Sequence, residues 1–231
     1  MGLFDKKYCD ICGEKIGLLG NRKLDDGNLC KECAKKLSPW FEERRHSTVE
    51  DIKQQLEYRE ANKEKVQNFR ITRRITTKKY TVFLDETQGN FTIAHNLDTK
   101  ENPDILSLSD VVQCNMDVKQ DRIEETYTKD GKTVSYQPPV YKYEYYYSMK
   151  IQVRSSWFDD MDFQLHSFAI EQENRAEMME MERVGNEIIA ALTGQAPRMQ
   201  SGMPMNQGMN QRMSYGMNQG VNYGMNQGMQ Q

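Results

Sequence analysis

Two Cys-x-x-Cys pairs near the N-terminus restrict this chain more than any other feature. Cys9 pairs with Cys12 and Cys30 pairs with Cys33, and seventeen residues separate the two pairs. Four thiolates satisfy the tetrahedral preference of Zn²⁺, and each short turn lets two sulfurs reach one ion. We therefore predict one structural Zn²⁺ bound by all four cysteines, in preference to a redox dithiol pair or free thiols.

Residues 1–41 form the predicted Cys₄ zinc module. Gly13 follows Cys12 and can supply a left-handed residue. Residues 14–29 are typical of a short hairpin that turns at Asp25-Asp26-Gly27. We expect Cys30→Ser to unfold this module and to leave the rest of the ordered chain almost unchanged.

Residues 42–69 are predicted to contain a connecting helix that is mostly exposed. Ser47 and Glu50 match a capping box at its start. The apolar stripe is thin and is interrupted by Arg59 and Lys63, so we expect only its apolar end to contact a neighbour.

Residues 70–194 change to a period of two and then return to a helical period. The β-branched runs and turn residues predict strands at 71–76, 80–84, 90–94, 105–108, 111–118, 123–128, 133–136, 141–153 and 163–166. Residues 170–192 have this helical period: apolar residues from Met178 to Leu192 recur every three or four positions, and Thr193-Gly194 is a helix stop. This indicates an α+β fold in which an antiparallel barrel or sandwich is closed by a C-terminal helix.

Residues 195–231 are a Met/Asn/Gln/Gly-rich repeat tail. Met-Asn-Gln-Gly occurs three times, and no helical or strand period is present. Such a segment cannot offset the ordering cost of roughly 1–2 kcal/mol per residue. We predict a disordered tail that serves as a contact or tether.

The charge is divided unevenly along the chain. Residues 1–79 carry 19 Lys and Arg against 13 Asp and Glu, whereas residues 80–194 carry 10 against 21.

The chain lacks the pattern of a signal peptide or of a membrane span. Together with cysteines in metal-binding spacing, this predicts a cytoplasmic protein.

One basic run is a candidate for binding anions, namely Arg70, Arg73, Arg74, Lys78 and Lys79. It could grip the phosphates of nucleic acid or of an acidic lipid, or it could be a solvated strand face. The tyrosines at 141, 143, 145 and 147 could stack on bases but are more typical of strand packing. Cys114, His95, His166 and the Asp159–Asp162 turn indicate no catalytic or calcium site.

The N-terminal part resembles a known family. The motifs that carry the resemblance are Cys9-Asp-Ile-Cys-Gly, Leu24-Asp-Asp-Gly, Cys30-Lys-Glu-Cys, Lys36-Leu-Ser-Pro-Trp-Phe and Ser47-Thr-Val. Through them, residues 7–69 are similar to an uncharacterised bacterial family with an N-terminal zinc-ribbon or treble-clef domain. The resemblance implies zinc binding and no activity. Residues 70–192 resemble, by strand and helix count, a pleckstrin-homology-like (PH-like) or GRAM-like domain, which implies a binding module.

These observations favour a non-enzymatic interaction or scaffold protein. Its expected partner is another protein, which it would bind in part through the tail. The alternatives are nucleic-acid binding through the zinc module and the basic run, and recruitment to an acidic membrane by the PH-like domain. Neither a phosphate loop nor a paired general acid and base stands out in the sequence.

Overall fold

The computed structural model describes residues 6–195, which belong to one compact unit. The predicted disordered tail therefore lies outside the described residues, apart from Gln195. The described chain is mixed α+β, as predicted. Within it, no helix combines the length and the apolar character needed to cross a lipid bilayer.

The cysteine module is built from four very short strands in two antiparallel hairpins: β1 (Lys7–Tyr8) with β2 (Lys15–Ile16), and β3 (Arg22–Lys23) with β4 (Asn28–Leu29). The predicted turn at Asp25–Gly27 joins β3 to β4. The rest of the predicted hairpin is wrong, because β2 pairs back with β1 across the first cysteine turn. A short helix, α1 (Lys31–Ala34), and a 3₁₀ helix (Glu43–His46) complete the module.

Helix α2 spans Val49–Asn68, and its cap lies one residue later than predicted. The Thr48 hydroxyl accepts a hydrogen bond from Asp51 N, and the Asp51 carboxylate accepts one from Thr48 N. Ser47 is not the cap, because its hydroxyl donates to the Glu43 carbonyl at 3.0 Å instead. Asp serves at the third helical position as Glu would in a capping box.

The buried stripe of α2 is mainly polar. Much of the helix is exposed, as predicted, but five positions are buried: Ile52, Gln55, Arg59, Asn62 and Val66. They recur every three or four residues, so they share one face. The side chain that interrupted the apolar pattern, Arg59, is therefore part of the packed face.

A first antiparallel sheet has the order β5-β6-β7-β8. Its strands lie close to the predicted ones: β5 (Arg73–Thr76), β6 (Thr81–Asp85), β7 (Asn90–Ala94) and β8 (Leu106–Ser107). β-Branched and aromatic residues at alternate positions direct Ile75, Val82 and Phe91 into the core.

A second antiparallel sheet is centred on a long strand, β12 (Tyr141–Val153). It pairs with β9 (Val111–Glu124) along its whole length, from Tyr141 opposite Glu124 to Val153 opposite Val111, and with β13 (Phe163–Gln164) and β14 (Ile170–Glu171). The break predicted at 119–122 is absent, because β9 continues to Glu124. The second predicted strand, 123–128, is divided between the end of β9 and the strand that follows it. A hairpin of β10 (Thr126–Lys129) and β11 (Lys132–Ser135) extends beyond the β9–β12 ribbon.

Helix α3 spans Arg175–Thr193 and packs against β9 and β5. Its buried stripe includes Met178, Met181, Gly185, Ile188 and Leu192, as the sequence predicted. Gly194 ends the helix in the left-handed conformation, with φ of 67°. The helix begins five residues later than predicted, because Ile170 belongs to β14 and pairs with Tyr145.

Candidate metal centre

Local structure places the four cysteines at two adjoining positions. Cys9 and Cys12 lie in the turn between β1 and β2, and Gly13 follows with φ of 75°, as expected for such a turn. Cys30 is the N-cap of α1, and Cys33 lies within that helix. Cys30 directly follows β4, and Asp10 N in the first cysteine turn donates a hydrogen bond to Asn28 O of β4 at 2.9 Å. This contact brings the second cysteine pair to the first.

The sulfurs are spaced as a tetrahedral ion requires. All four Sγ atoms lie within 4.8 Å of one another, and Cys12 Sγ is 3.8 Å from Cys30 Sγ. Sulfurs bound at about 2.3 Å to one tetrahedral ion are about 3.8 Å apart. All four cysteines are free thiols. The four side chains therefore could bind one metal ion without rearrangement of the backbone.

Backbone N–H groups point at the sulfurs. Cys30 N donates to Cys9 Sγ and Cys33 N donates to Cys30 Sγ, each at 3.3 Å. Hydrogen bonds of this kind stabilise thiolates, which are the form that binds metal. The second pair of cysteines thus supplies both ligands and donors.

The thiols differ in how readily each would ionise. Burial works to raise the pKa of Cys9, but the backbone N–H groups of Cys12, Cys30 and Ile11 lower the pKa of this thiol to about 7. Burial, together with the neighbouring thiols, raises the pKa of Cys33. Four thiolates this close repel one another strongly, so a cation with more than one charge is what would stabilise them together.

The cluster replaces part of a hydrophobic core that the module is too small to build. Cys9 and Cys33 are buried, whereas Cys12 is exposed. Leu24, Leu29 and Ile52 surround the buried side of the site. A module of this size needs a metal or another cross-link to be stable.

One aspartate attaches the first cysteine turn to β4, and a second attaches the β3–β4 turn to α2. The Asp10 carboxylate accepts a hydrogen bond from Asn28 N at 2.6 Å, and the Asp26 carboxylate accepts one from Val49 N at 2.8 Å. A Cβ at Gly27 would meet the side chains of Val49 and Asp10 at 2.5 and 2.8 Å. The start of α2 is thereby held against the metal module.

The basic run at 70–79 is divided by the fold. Arg73 forms an ion pair with Glu187 of α3 at 2.9 Å, and Arg74 lies 5.8 Å from the centre of the Phe83 ring. Arg73 and Arg74 face opposite sides of β5. Arg70, Lys78 and Lys79 are exposed.

The remaining candidates have structural surroundings. Tyr147 is buried, and His166 accepts a hydrogen bond from its backbone N–H at 3.0 Å. His95 stacks on Tyr80 with the ring centres 4.4 Å apart. In the part of the chain that the structure describes, the cysteine cluster is the one group of three or more ligand-type side chains that meets metal-binding distances.

A polar contact that the sequence did not reveal links the module to the sheets. Arg59 donates to Asp104 at 2.7 Å, and Ser38 donates to the same carboxylate at 2.8 Å. Arg59 also donates to the carbonyl of Lys36 at 3.2 Å. The only signal in the sequence is the helical spacing of Gln55, Arg59 and Asn62, which equally fits a solvated face.

Comparison with known families matches the N-terminal part of the chain. Residues 7–55 match the model of a family described as a domain of unknown function (DUF4428). Neither the curated proteins nor the solved structures include a significant match to the chain. The matched range ends within α2, where Val49, Ile52 and Leu56 pack into the core of the cysteine module. The family model thus covers roughly a fifth of the chain and includes all four cysteines.

Proposed function

We propose that this chain is a non-enzymatic interaction protein of a bacterial cytoplasm, with a structural Zn²⁺ site and a PH-like binding domain. The observation that carries the proposal is an exposed aromatic surface on the β9–β12 ribbon. More than half of the large apolar side chains that are exposed in residues 6–195 lie between Val112 and Tyr141. Among these, Tyr127, Tyr136 and Tyr141 lie at the β10–β11 hairpin and at the end of β12 next to it. Exposed apolar groups that lie together indicate a contact surface.

The surface is centred on the end of the ribbon. Tyr127 and Tyr136 are 39% and 41% exposed, and their ring centres lie 4.9 Å apart. The guanidinium of Arg122 lies 4.5 Å from the centre of the Tyr141 ring. Tyrosine and arginine are the side chains that most often dominate binding energy at protein interfaces. This combination supports a protein partner.

The PH-like assignment rests on the order of elements in residues 70–194. A four-stranded antiparallel sheet is followed by a second antiparallel sheet and then by one amphipathic helix. Domains of this kind act mostly as binding modules, which is consistent with an interaction function. Fold class alone does not assign a function, so the aromatic surface remains the stronger argument.

The identity of the ion as Zn²⁺ rests on the ligand set. Four thiolates favour Zn²⁺ among common divalent ions, and a full set of protein ligands leaves no coordination position for substrate or water. Metal analysis of the purified chain should find one zinc per chain. Cys12→Ser should abolish this stoichiometry, and Cys114→Ser, which removes a thiol outside the cluster, should preserve it.

The interaction function is tested by quantitative mass spectrometry of cross-linked partners from the source cells. A Tyr127→Ser/Tyr136→Ser variant should lose specific partners that the wild-type chain captures. The matched control is Phe168→Ser, since Phe168 is 84% exposed but lies in the loop between β13 and β14 and not at the β10–β11 hairpin. Identical partner sets for all three chains would contradict the proposal, as would robust turnover that a point mutation in the β-domain abolishes.

Two other functions remain weaker candidates. Nucleic-acid binding or membrane recruitment through residues 70–79 would use a basic run in which Arg73 is already paired with Glu187. Binding that depends on this run should fall steeply with salt concentration and should be lost in Arg73→Glu/Arg74→Glu. Retention of partner binding in that variant would favour the ribbon.

A further inference from the structure

A basic cavity lies on the metal module, away from the cysteines and from the ribbon. It has a volume of about 500 Å³ and is lined by β3 and by the 3₁₀ helix. Cavities of roughly 300–1,000 Å³ are typical of sites for small molecules. The ionisable side chains that line it are Arg22, Lys23, Asp25, Arg44, Arg45 and His46.

The charges in this cavity are not balanced by the protein. Four permanent cations, Arg22, Lys23, Arg44 and Arg45, face one carboxylate, that of Asp25. None of the four forms an ion pair with a carboxylate of residues 6–195. Like charges held together in this way cost free energy unless an anion joins them.

One guanidinium is left with an unused donor. Arg44 Nη1 is buried and makes no hydrogen bond to any described residue. Burial and the charges of Arg22 and Arg45 lower the pKa of Arg44, as expected when cations meet without an anion. Buried donors are nearly always satisfied in folded proteins, so the Arg44 guanidinium adds positive charge to the cavity lining that the protein itself does not compensate.

The backbone fixes the cavity walls. Asp25 N donates to the Ser47 carbonyl at 3.0 Å, which attaches the β3–β4 turn to the end of the 3₁₀ helix. The Arg22 guanidinium lies 3.4 Å from the carbonyls of Leu19 and Asn21. The arginines on the two elements therefore face one cavity in the folded module.

We propose that this cavity binds a small ligand that carries two linked phosphate groups, with Arg22, Arg44 and Arg45 as the principal contacts. Planar guanidinium groups match the oxygens of phosphate with paired, charge-assisted hydrogen bonds. An excess of three positive charges suits a diphosphate better than a single carboxylate. This inference goes beyond the interaction function and does not depend on it.

Isothermal titration calorimetry of the full zinc-loaded chain tests the proposal. The probes are pyrophosphate, a nucleoside diphosphate and a soluble inositol bisphosphate, at about 50 mM salt to limit screening. At least one probe should bind with a stoichiometry of one. The probe that binds most tightly identifies the source of the phosphates.

Arg22→Gln/Arg45→Gln should weaken that binding by about tenfold or more, since each lost charge-assisted hydrogen bond has an effect of this order. The matched control is Arg70→Gln/Lys78→Gln, which removes the same charge from exposed positions elsewhere and should change affinity less than about twofold. Zinc content and the thermal melt establish that each variant is folded. If the double variant does not fold, Arg45→Gln alone replaces it, because Arg45 is exposed.

Three results would overturn the proposal. The first is the absence of stoichiometric binding for all three probes. The second is equal weakening by the cavity variant and by its control, which indicates a diffuse electrostatic field. The third is binding of a single-stranded oligonucleotide alone, which assigns the cations to a nucleic-acid surface.

Discussion

The guanidinium of Arg59 lies 2.7 Å from the carboxylate of Asp104, and the two side chains are 6% and 0% exposed. Arg59 belongs to α2, whereas Asp104 precedes β8 in the first sheet. The same two groups also contact Lys36 and Ser38 of the cysteine module. One buried ion pair therefore joins the metal module, the helix and the sheets.

Breaking this pair from one side should be costly. Arg59→Met leaves the Asp104 carboxylate buried without its partner, and we expect a loss of about 3–5 kcal/mol in the free energy of unfolding. The double variant Arg59→Met/Asp104→Leu should recover much of that loss, because no charge remains buried. Urea unfolding followed by circular dichroism measures both.

Lys63→Met is the matched control for this experiment. It removes a cation of the same helix whose partner, Glu60, is 73% exposed, so the loss should stay below about 1 kcal/mol. Equal losses for the two single variants would show that the buried position of Arg59 has no special energetic role.

Loss of the metal should weaken the sheets as well as the module. The sequence alone led us to expect that Cys30→Ser leaves the β-domain melt unchanged, but the contacts of Arg59 and Ser38 change this expectation. If the module unfolds, the Asp104 carboxylate loses Ser38 and the Lys36 carbonyl no longer holds Arg59. Cys30→Ser should therefore lower the melting temperature of the whole described unit.

Chelation of the wild-type chain should have the same effect, and zinc should reverse it. Cys114→Ser is the control, since Cys114 is a buried thiol of β9 that is remote in sequence from the cluster. The Cys114→Ser variant should retain its zinc, and its melting temperature should not change when zinc is added. A β-domain transition that is identical with and without metal would show that the two parts unfold independently.

Asp85 should make the chain sensitive to acid. Burial works to raise the pKa of this carboxyl, but hydrogen bonds from the Thr87 hydroxyl and from the backbone N–H groups of Arg70 and Gln88 lower the pKa below its usual value. Because the pKa is lower in the folded state, the stabilisation is present above the unfolded pKa of about 3.9 and is lost as pH falls through the folded pKa.

Asp85→Asn should accordingly lower the free energy of unfolding at pH 7 by about 1–3 kcal/mol. The difference from wild type should shrink as pH falls below about 4. Denaturant titrations at several pH values measure this dependence. Asp117→Asn, at an exposed position of β9, should leave the pH profile of stability unchanged, and a constant difference for Asp85→Asn across all pH values would contradict the argument.

Gly185 should be needed for the contact between α3 and β9. A Cβ at this position would meet the Met116 side chain, so Gly185→Ala should cost about 1–3 kcal/mol despite the better helix propensity of alanine. In a Met116→Ala background the same change should instead stabilise by up to about 1 kcal/mol. The free energies of unfolding of the wild type, the two single variants and the double variant form a double-mutant cycle. If the effects of the two single changes simply add, the contact between position 185 and Met116 is excluded.

Elements defined by local chemistry could be predicted from the sequence. The stripe of α3, its end at Gly194 and the strands of the first sheet follow from side-chain periodicity and from one residue in the left-handed conformation. The four cysteines were identified for the same reason, since their spacing within each turn is local. The meeting of the two pairs was also predicted from their spacing, and the fold adds the contact between Asp10 and Asn28 of β4 that holds them together.

Features that depend on distant partners could not be predicted. Arg59 and Asn62 have the spacing of a packed face, but their partners Asp104 and Asn102 lie 45 and 40 residues further along the chain. The sequence predicted separate strands at 111–118 and 123–128, yet β9 continues through residues 119–122, which are mostly exposed and are held by pairing with β12. The basic cavity combines Arg22 with Arg44 and Arg45 only after the β3–β4 turn folds onto the 3₁₀ helix.

The outer end of the ribbon, residues 122–141, is exposed at every position except the half-buried Val134. It therefore adds almost nothing to the hydrophobic interior, and the β10–β11 hairpin lies beyond Glu124 and Tyr141, the last residues that pair β9 with β12. Its length and composition can change without a cost to the fold. An epitope, a fluorophore or a whole inserted domain could be placed in this hairpin while the metal module and the two sheets remain as they are.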